Sequence, residues 1–432
     1  MALTLGATNA PRPASLDAGE QLRSPEAGAD NIADACQRVE EMQRLAPPLL
    51  QRIATEGLAS VYRDIEKPSA PVTAAMIATG VRVKRSIVQG LVNEHGARMQ
   101  SACRRLRRQF GRRFNPDHAT AVQVLTALPD NDSATLNLER YRQSAAAFHS
   151  ARGVLATLGY GSRVRPDLDP LGAVTGRFTC KNPPLQSLHP LVRAAIVPAP
   201  GHMLVELDYS QIELRILAHL SQDRALTEAF EQGADLHRRS AAHAFGIPAD
   251  AVTRAQRQVG KKLNFSIIYG QTAYGLAQEM KVSHDSAAQL LAAHADAYPG
   301  VATWIAAVHE QAVATGEVRT LYGRRRILPN ITSATPRLLA EAKRHAVNTI
   351  IQGTGADLLK LALIRLHDAL PTDVRILLSV HDSVLLEVPE HMVSEVTQLS
   401  RGVLESVQEG FCVPLRVDVG VGQSWAACGN GD

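Results

Sequence analysis

Two aspartates stand at the ends of apolar segments, where their carboxylates could do chemistry. Asp208 directly follows the segment HMLVEL, and Asp382 interrupts the apolar run VHDSVLLEV. Burying an unpaired carboxylate is costly, so each side chain needs a cation, a hydrogen-bond donor or a metal ion. If the two segments are neighbouring strands of one sheet, the two carboxylates meet.

Carboxylates at close range repel one another unless divalent cations lie between them. Their hard oxygen ligands favour Mg²⁺ or Mn²⁺, and a pair of such ions can clamp the attacking and leaving oxygens of a phosphoryl transfer. The alternative stays open on these residues alone: each aspartate could cap a helix or pair with an arginine.

A second pattern lies in residues 257–270, RQVGKKLNFSIIYG. Arg257, Lys261, Phe265 and Tyr269 recur every four residues, so on a helix they form one stripe. Arginine and lysine are rarely buried unpaired, which makes this stripe a poor core. It suits a nucleotide instead, with cations for a triphosphate and rings for sugar and base. Lys261 could also protonate a departing pyrophosphate. The alternative is an amphipathic helix with chance spacing.

Positive charge is concentrated in one segment. Residues 82–113 contain ten basic residues and one acid, Glu94, whereas the whole chain has a net charge of +4. This favours a polyanionic partner, with nucleic acid first, although a solvated charged face gives the same pattern.

The elements that must position these residues follow from periodicity and turn signals. Residues 31–150 are predicted helical, with breaks near Pro68–Pro71 and at Asn115–Pro116. Residues 151–207 are predicted to form short strands and turns, and 211–370 to be mostly helical. The predicted late strands are 202–207, 374–380, 384–388 and 415–421, with a helix near 391–408.

Composition narrows the class of protein. A chain of 432 residues can hold two or three domains. The five cysteines contain no CxxC pair, which argues against a zinc site or a disulfide framework and fits a reducing cytosol. No signal peptide and no apolar stretch of about 20 residues is present, so we expect no membrane association. Residues 1–30, rich in Ala, Gly, Pro and Ser, are predicted to be flexible.

The segments DYSQIELR (208–215), RQVGKKLNFSIIYG (257–270) and VHD (380–382) resemble motifs A, B and C of the family A DNA polymerases, such as bacterial DNA polymerase I. Further segments agree in the same order, and the resemblance covers roughly residues 55–425. They are TGRFTCKNPPLQSLHP (175–190), GADLH (233–237), LYGRRRILP (321–329), RHAVNTIIQGTGADLLK (344–360) and VDVGVGQSW (417–425).

The resemblance implies an α+β right-hand polymerase fold, with an antiparallel palm sheet, helical fingers and a helical thumb. The implied domains are a flexible segment (1–30), the thumb and its lead-in (31–150), the first part of the palm (151–232), the fingers (233–335) and the second part of the palm (336–432).

The implied activity is template-directed addition of dNMP to a primer 3′-OH, with two Mg²⁺ ions for which Mn²⁺ can substitute. The implied catalytic residues are Asp208, Asp382 and Lys261, and the metal ligands are Asp208, Asp382 and the carbonyl of Tyr209. The expected dNTP-binding residues are Arg257, Lys261, Phe265, Tyr269, His237, Gln211 and Glu213. The expected DNA-binding residues are Arg177, Arg344, Asn348, Gln352, His381, Arg104, Arg105, Arg107 and Arg108.

Individual roles also follow from the resemblance. Arg257, Lys261 and His237 would bind the triphosphate, and Tyr269 would help to place the templating base. Glu213 would press against C2′ of the sugar and exclude ribonucleotides. Phe265, where some relatives have Tyr, predicts poor use of dideoxynucleotides. The partners would be primer-template DNA and dNTPs, and we expect a cytoplasmic, nucleoid-associated monomer, with a phage or plasmid origin left open.

The sequence departs from the family at three places. Ser383 stands where many relatives have Glu, although single-subunit RNA polymerases also have HDS there. Pro184 stands where relatives often have Asn. A proofreading exonuclease domain would need roughly 100 residues or more ahead of residue 55. We therefore expect no 3′–5′ exonuclease or 5′-nuclease activity from this chain, and an exonuclease could be encoded separately. The alternatives are a catalytically weak or dead DNA-binding protein and a single-subunit RNA polymerase.

Overall fold

The computed structural model describes residues 25–118, 123, 132–268 and 270–429, without the side chains of 25–32 and 267. The chain forms two compact units. The first unit comprises the described chain up to Pro68 together with Val174–Gly176 and Ile216–Asp357, and the second comprises Ser69–Ala173, Arg177–Arg215 and the chain from Leu358 onward.

Most of the described residues are helical. The helices are α1 (Pro25–Thr55), α2 (Lys67–Thr79), α3 (Arg85–Phe110), α4 (Ser133–Leu158), α5 (Pro190–Arg193), α6 (Ile212–Ser221), α7 (Arg224–Glu231), α8 (Leu236–Phe245), α9 (Arg254–Ile268), α10 (Ala273–Met280), α11 (His284–Ala297), α12 (Pro299–Thr315), α13 (Pro336–Ala369), α14 (Val393–Glu405) and α15 (Trp425–Cys428).

The strands are short apart from those of one sheet. They are β1 (Val81–Arg82), β2 (Arg163–Val164), β3 (Asp167–Asp169), β4 (Thr179–Lys181), β5 (His202–Tyr209), β6 (Glu317–Arg319), β7 (Arg325–Ile327), β8 (Arg375–Val380), β9 (Ser383–Pro389) and β10 (Val417–Gly422).

The second unit is built around an antiparallel sheet with strand order β10–β5–β9–β8. Every residue of β9 is buried, as expected of a strand covered on both faces. Helix α14 packs against β5, β9 and β10. Each fully buried leucine or valine contributes about 1.5–3 kcal/mol to this core. The predicted late strands are confirmed to within two or three residues at their ends.

One charged side chain of β9 is buried inside this core and is neutralised there. Glu387 has no exposed surface. Its carboxylate accepts two hydrogen bonds from one guanidinium nitrogen of Arg163, at 2.5 and 2.8 Å, and one from the backbone N–H of Ala199 at 2.9 Å. Paired in this way, the carboxylate is tolerated in a strand of otherwise apolar residues.

Helices α3 and α4 form a hairpin in the second unit. Their shared core contains Ala102, Leu106, Leu138 and Tyr141, and it leaves the arginines of α3 on the outside. The predicted break at Asn115–Pro116 lies in the non-helical segment 111–118, after α3 has ended at Phe110.

The predicted helix break near Pro68–Pro71 is wrong. The chain is helical from residue 59 to 79, with a π-helical turn at Val61–Glu66 followed directly by α2. Pro68 is the second residue of α2 and Pro71 lies inside the helix, so neither proline ends it. Helix α1 begins at Pro25, and residues 1–24 of the segment predicted to be flexible lie outside the described residues.

In the described residues of the first unit, the regular secondary structure is helical apart from the β6–β7 hairpin, which the sequence did not predict. One buried polar cluster in this unit centres on Arg324, whose guanidinium contacts Glu66 and Asp357. Asp357 also accepts a hydrogen bond from the Thr320 hydroxyl at 2.7 Å. In the part of the chain that the structure describes, no helix is both long and apolar enough to span a membrane.

Candidate active site

The sheet of the second unit brings Asp208 and Asp382 together. Asp208 is near the end of β5 and pairs with Ser383, the first residue of β9. Asp382 lies one residue earlier, in the two-residue turn between β8 and β9. His381 has a φ of +55° in this turn, as tight hairpins require. The predicted meeting of the two aspartates in one sheet is therefore confirmed.

A cavity of about 440 Å³ opens beside these carboxylates. Most of the residues that line this cavity are polar or charged. Its charged or polar lining residues are Arg193, Glu206, Asp208, His381, Asp382, Ser383 and Asp418.

Two carboxylates of this cavity, Asp208 and Asp382, have a raised pKa. Burial among protein atoms raises the pKa of Asp208 to about 7, with Asp382, Glu206 and Asp418 adding to the rise, although one side of the residue is open to solvent. Burial also raises the pKa of Asp382. A divalent cation between the two groups would relieve this repulsion.

The donor set fits Mg²⁺. Among the described residues, no three His, Cys, Asp or Glu side chains are grouped as a metal site. A cage made entirely of protein side chains is therefore not formed by these residues. Mg²⁺ typically keeps several waters and takes one or two carboxylates plus substrate phosphates, which Asp208, Asp382 and the Tyr209 carbonyl would suit.

The residues after Asp208 are fixed by neighbouring elements. The Tyr209 hydroxyl donates to the Leu404 carbonyl at 2.8 Å, and the Ser210 N–H donates to the Arg416 carbonyl at 2.9 Å. Gln211 has a φ of +53°, and its side-chain oxygen is buried without a hydrogen-bond partner among the described residues.

Glu213 and Arg177, predicted to contact nucleotide and DNA respectively, contact each other. One guanidinium nitrogen of Arg177 lies 2.5 Å from a carboxylate oxygen of Glu213. The Glu213 side chain is only 10% exposed, so the arginine fixes its position in the second unit.

Helix α9 of the first unit carries the predicted stripe. Lys261 is exposed, whereas Arg257 and Phe265 are half-buried, and Tyr269 lies outside the described residues. Arg257 donates to Asp235 at 2.6 Å, and the rings of Phe265 and His237 are 6.1 Å apart. The structure thus places His237, Arg257, Lys261 and Phe265 together.

A glycine allows this grouping. A Cβ on Gly260 would lie 2.0 Å from the carbonyl oxygen of His237, so α8 and α9 approach too closely for any side chain. A glycine inside a predicted helix, as in RQVGKK, indicates a close approach by another element, but the sequence does not show which element that is.

A buried hydrogen-bond network behind the stripe was missed. Asn264 accepts from the Ser240 hydroxyl at 2.7 Å and from His294 Nε2 at 2.9 Å. Its amide nitrogen then donates to Nδ1 of His237 at 3.0 Å. Burial, followed by the charges of Arg257 and Lys261, lowers the pKa of His237 to about 4. A neutral His237 that accepts at Nδ1 carries its proton on Nε2.

The predicted DNA-binding residues fall into three groups. Arg344, Asn348 and Gln352 form a half-buried stripe at four-residue spacing along α13 in the first unit. Arg177 and the exposed His381 belong to the second unit. The four predicted arginines, Arg104, Arg105, Arg107 and Arg108, are exposed on α3. A cavity of about 510 Å³ between α3 and α4 is lined by Arg98, Arg105 and Arg140.

Comparison with known proteins gives a consistent result. The family model of DNA polymerase family A matches residues 103–427. The thermostable DNA polymerase I of Thermus thermophilus is 32% identical over 434 residues, which cover 92% of this chain and 52% of that protein. DNA polymerase I of Chloroflexus aurantiacus is 33% identical over 88% of this chain and 45% of its own length. This chain thus spans about half the length of the curated relatives it matches.

The fold is also similar to that of a solved structure. The POL domain of Pol1 from M. smegmatis, in complex with DNA primer-template and dNTP, superposes with a TM-score of 0.85 at 31% sequence identity. The match covers 89% of this chain and 74% of that one. With the family model matching most of the sequence, the chain belongs to DNA polymerase family A.

Proposed function

We propose that this chain is a template-directed DNA polymerase that adds dNMP to a primer 3′-OH by two-metal-ion phosphoryl transfer. The observation that carries the proposal is the meeting of Asp208, near the end of β5, with Asp382, in the turn before the neighbouring strand β9, although the two lie 174 positions apart in sequence. The fold similarity to a polymerase domain bound to primer-template and dNTP supports DNA and dNTPs as the partners.

Asp208, Asp382 and the Tyr209 carbonyl would hold the metal ions. When bound, two Mg²⁺ ions lower the pKa of the attacking hydroxyl and neutralise charge that develops on the phosphate oxygens. The carboxylates are attached to β5 and to a two-residue turn, so the sheet sets their positions before any ligand binds.

The stripe of α9 would bind the triphosphate. Arg257 and the exposed Lys261 supply positive charge, and neutral His237 donates from Nε2 to a phosphate oxygen. The ammonium of Lys261 can transfer a proton to the departing pyrophosphate. Phe265 supplies an apolar ring beside these groups.

Glu213 would exclude ribonucleotides by volume. Its carboxylate is held by Arg177, and a fixed side chain rejects a 2′-hydroxyl more strongly than a mobile one. In this proposal the sheet of the second unit is the palm, the region around α9 is the fingers, and the α3–α4 hairpin is the thumb that holds duplex phosphates.

Primer extension on a defined template with Mg²⁺ tests the function. The wild type should incorporate dNTPs, and Asp382→Ala and Asp208→Ala should each reduce extension to background. Asp373→Ala, which removes an exposed carboxylate from the same unit, is the matched control and should extend normally. Normal extension by Asp382→Ala would sink the metal assignment.

The same assay separates the alternatives. Preference for rNTPs over dNTPs would indicate an RNA polymerase, and DNA binding without extension by any variant would indicate a binding protein. Incubating a 3′-mismatched primer without dNTPs tests the expected lack of 3′–5′ exonuclease activity, which stays a prediction.

A further inference from the structure

Glu206 lies in the same cavity as the two aspartates, and the proposed mechanism gives it no role. It precedes Asp208 by two residues on β5, so both side chains point to the same face of the sheet. It lines the cavity together with Asp382 and Asp418, and its charge contributes to the raised pKa of Asp208.

The carboxylate of Glu206 is held from two sides. The indole Nε1 of Trp425 donates to its Oε1 at 2.9 Å. The hydroxyl of Ser383 lies 3.4 Å from the same oxygen and 3.1 Å from the Val380 carbonyl, and its one proton serves either acceptor. Ser383 is therefore a diagonal neighbour of Glu206 across the strand pair, since the register partner of Glu206 is Leu385.

The position of Trp425 is itself fixed by the fold. A Cβ on Gly420 would lie 1.5 Å from the carbonyl oxygen of Cys428, so α15 can pack on β10 only where β10 has no side chain. Gly420 is the register partner of Glu206 on β10. Arg193 stacks on the indole, with its guanidinium carbon 4.4 Å from the ring centroid.

The register explains why position 383 holds a small residue. Ser383 pairs directly with Asp208, and Glu206 reaches the Ser383 hydroxyl from the neighbouring position on β5. A glutamate at 383 would face Asp208 and lie diagonally across from Glu206, and adding a third like charge to these neighbours is destabilising.

We propose that Glu206 supplies, from β5, a third carboxylate beside the two aspartates of the metal site. Glu206 would thus take over the role of the glutamate that many relatives have at position 383, where this chain has the small, uncharged Ser383. The inference rests on the proposed function. In this arrangement Asp208 and Asp382 hold the cations, and Glu206 adds negative charge beside them while Trp425 fixes its orientation.

Binding of Mn²⁺ alone, measured by electron paramagnetic resonance without DNA or nucleotide, tests the charge. Glu206→Gln keeps the shape and an acceptor for Trp425, and it should weaken Mn²⁺ binding roughly tenfold, as changes next to metal ligands commonly do. Glu395→Gln, an exposed position on α14, is the matched control and should bind as the wild type does.

Thermal unfolding in EDTA tests, without any metal, whether a carboxylate at position 206 excludes one at position 383. Ser383→Glu should lower the unfolding temperature, and the double variant Glu206→Ser/Ser383→Glu should recover it together with Mn²⁺ affinity. Strictly additive effects of the two substitutions would overturn the inference.

Asp382→Ala separates this inference from the proposed function. If Asp382→Ala loses Mn²⁺ binding while Glu206→Gln binds like the wild type, the role of Glu206 is wrong and the metal site stands. If Asp382→Ala also binds like the wild type, the proposed metal site fails and this inference fails with it.

Discussion

The backbone N–H of Tyr209 donates a hydrogen bond to the carbonyl oxygen of Asp382 at 3.2 Å. This bond joins the end of β5 to the turn before β9, next to both candidate metal ligands. The relative position of the two carboxylates therefore depends on backbone pairing and not on flexible side-chain contacts. The proposed cation site would therefore be preorganised before substrate arrives.

Replacing Glu213 should relax the selection against ribonucleotides. Glu213→Ala removes a nearly buried side chain fixed by Arg177, and the ratio of kcat/KM for rNTPs over dNTPs should rise by roughly tenfold or more. Steady-state single-nucleotide insertion measures this ratio. Glu213→Gln keeps the volume and should retain most of the selectivity, so equal losses in the two variants would contradict a steric role.

The sequence predicted the parts of the site that depend on local pattern. Apolar runs marked β5, β8 and β9, and the acids in or beside them stood out because carboxylates in such runs need a partner. The four-residue spacing of Arg257, Lys261 and Phe265 indicated one helical face, which α9 provides. Each of these patterns lies within a few neighbouring residues, so it can be recognised in a single sequence.

The remaining parts depend on contacts between distant segments. Asn264 lies between two predicted contact residues, yet its partners Ser240 and His294 come from other helices. Glu206 resembled any polar residue of a half-exposed strand until β9 and α15 were placed beside it. Pro68 and Pro71 were misleading because the helix continues through both, including Pro71 in its interior.

Removing the charge of Arg324 should destabilise the first unit. Its side chain is 4% exposed and contacts Glu66 and Asp357, which are equally inaccessible. Arg324→Met would leave two buried carboxylates without their cation, a change that costs about 3–5 kcal/mol of unfolding free energy. Urea denaturation followed by circular dichroism measures the loss. Arg63→Met breaks an exposed pair with Asp64 and should change stability little; equal effects would contradict the argument.

Acid should destabilise the first unit through His294. Burial, with a smaller effect of His243, lowers the pKa of His294 from 6.5 to about 4. Between these values the unfolded chain binds a proton that the folded chain does not. Stability is therefore highest above pH 6.5 and falls as the pH drops toward 4.

His294→Gln isolates this contribution, because the amide of glutamine can still donate to Asn264 and does not titrate. Between about pH 7 and pH 5 the wild type should lose up to about 2 kcal/mol more unfolding free energy than His294→Gln. Urea titrations at both pH values measure the difference, and carboxylates common to the two proteins cancel. Identical losses would mean that the pKa of His294 is the same in the folded and unfolded states, and would contradict the argument.

The arginines of α3 should make DNA binding dependent on salt. Arg104 and Arg108 are exposed and lie one turn apart on the same face of the helix. If both bind phosphates, Arg104→Ala/Arg108→Ala should reduce the slope of log K against log salt by about 0.9 for each phosphate that is no longer neutralised. Fluorescence anisotropy with labelled primer-template over a salt series measures the slope. Arg401→Ala removes an exposed arginine from α14 and should leave the slope unchanged. An unchanged slope in the double variant would instead identify the basic face of α3 as merely solvated.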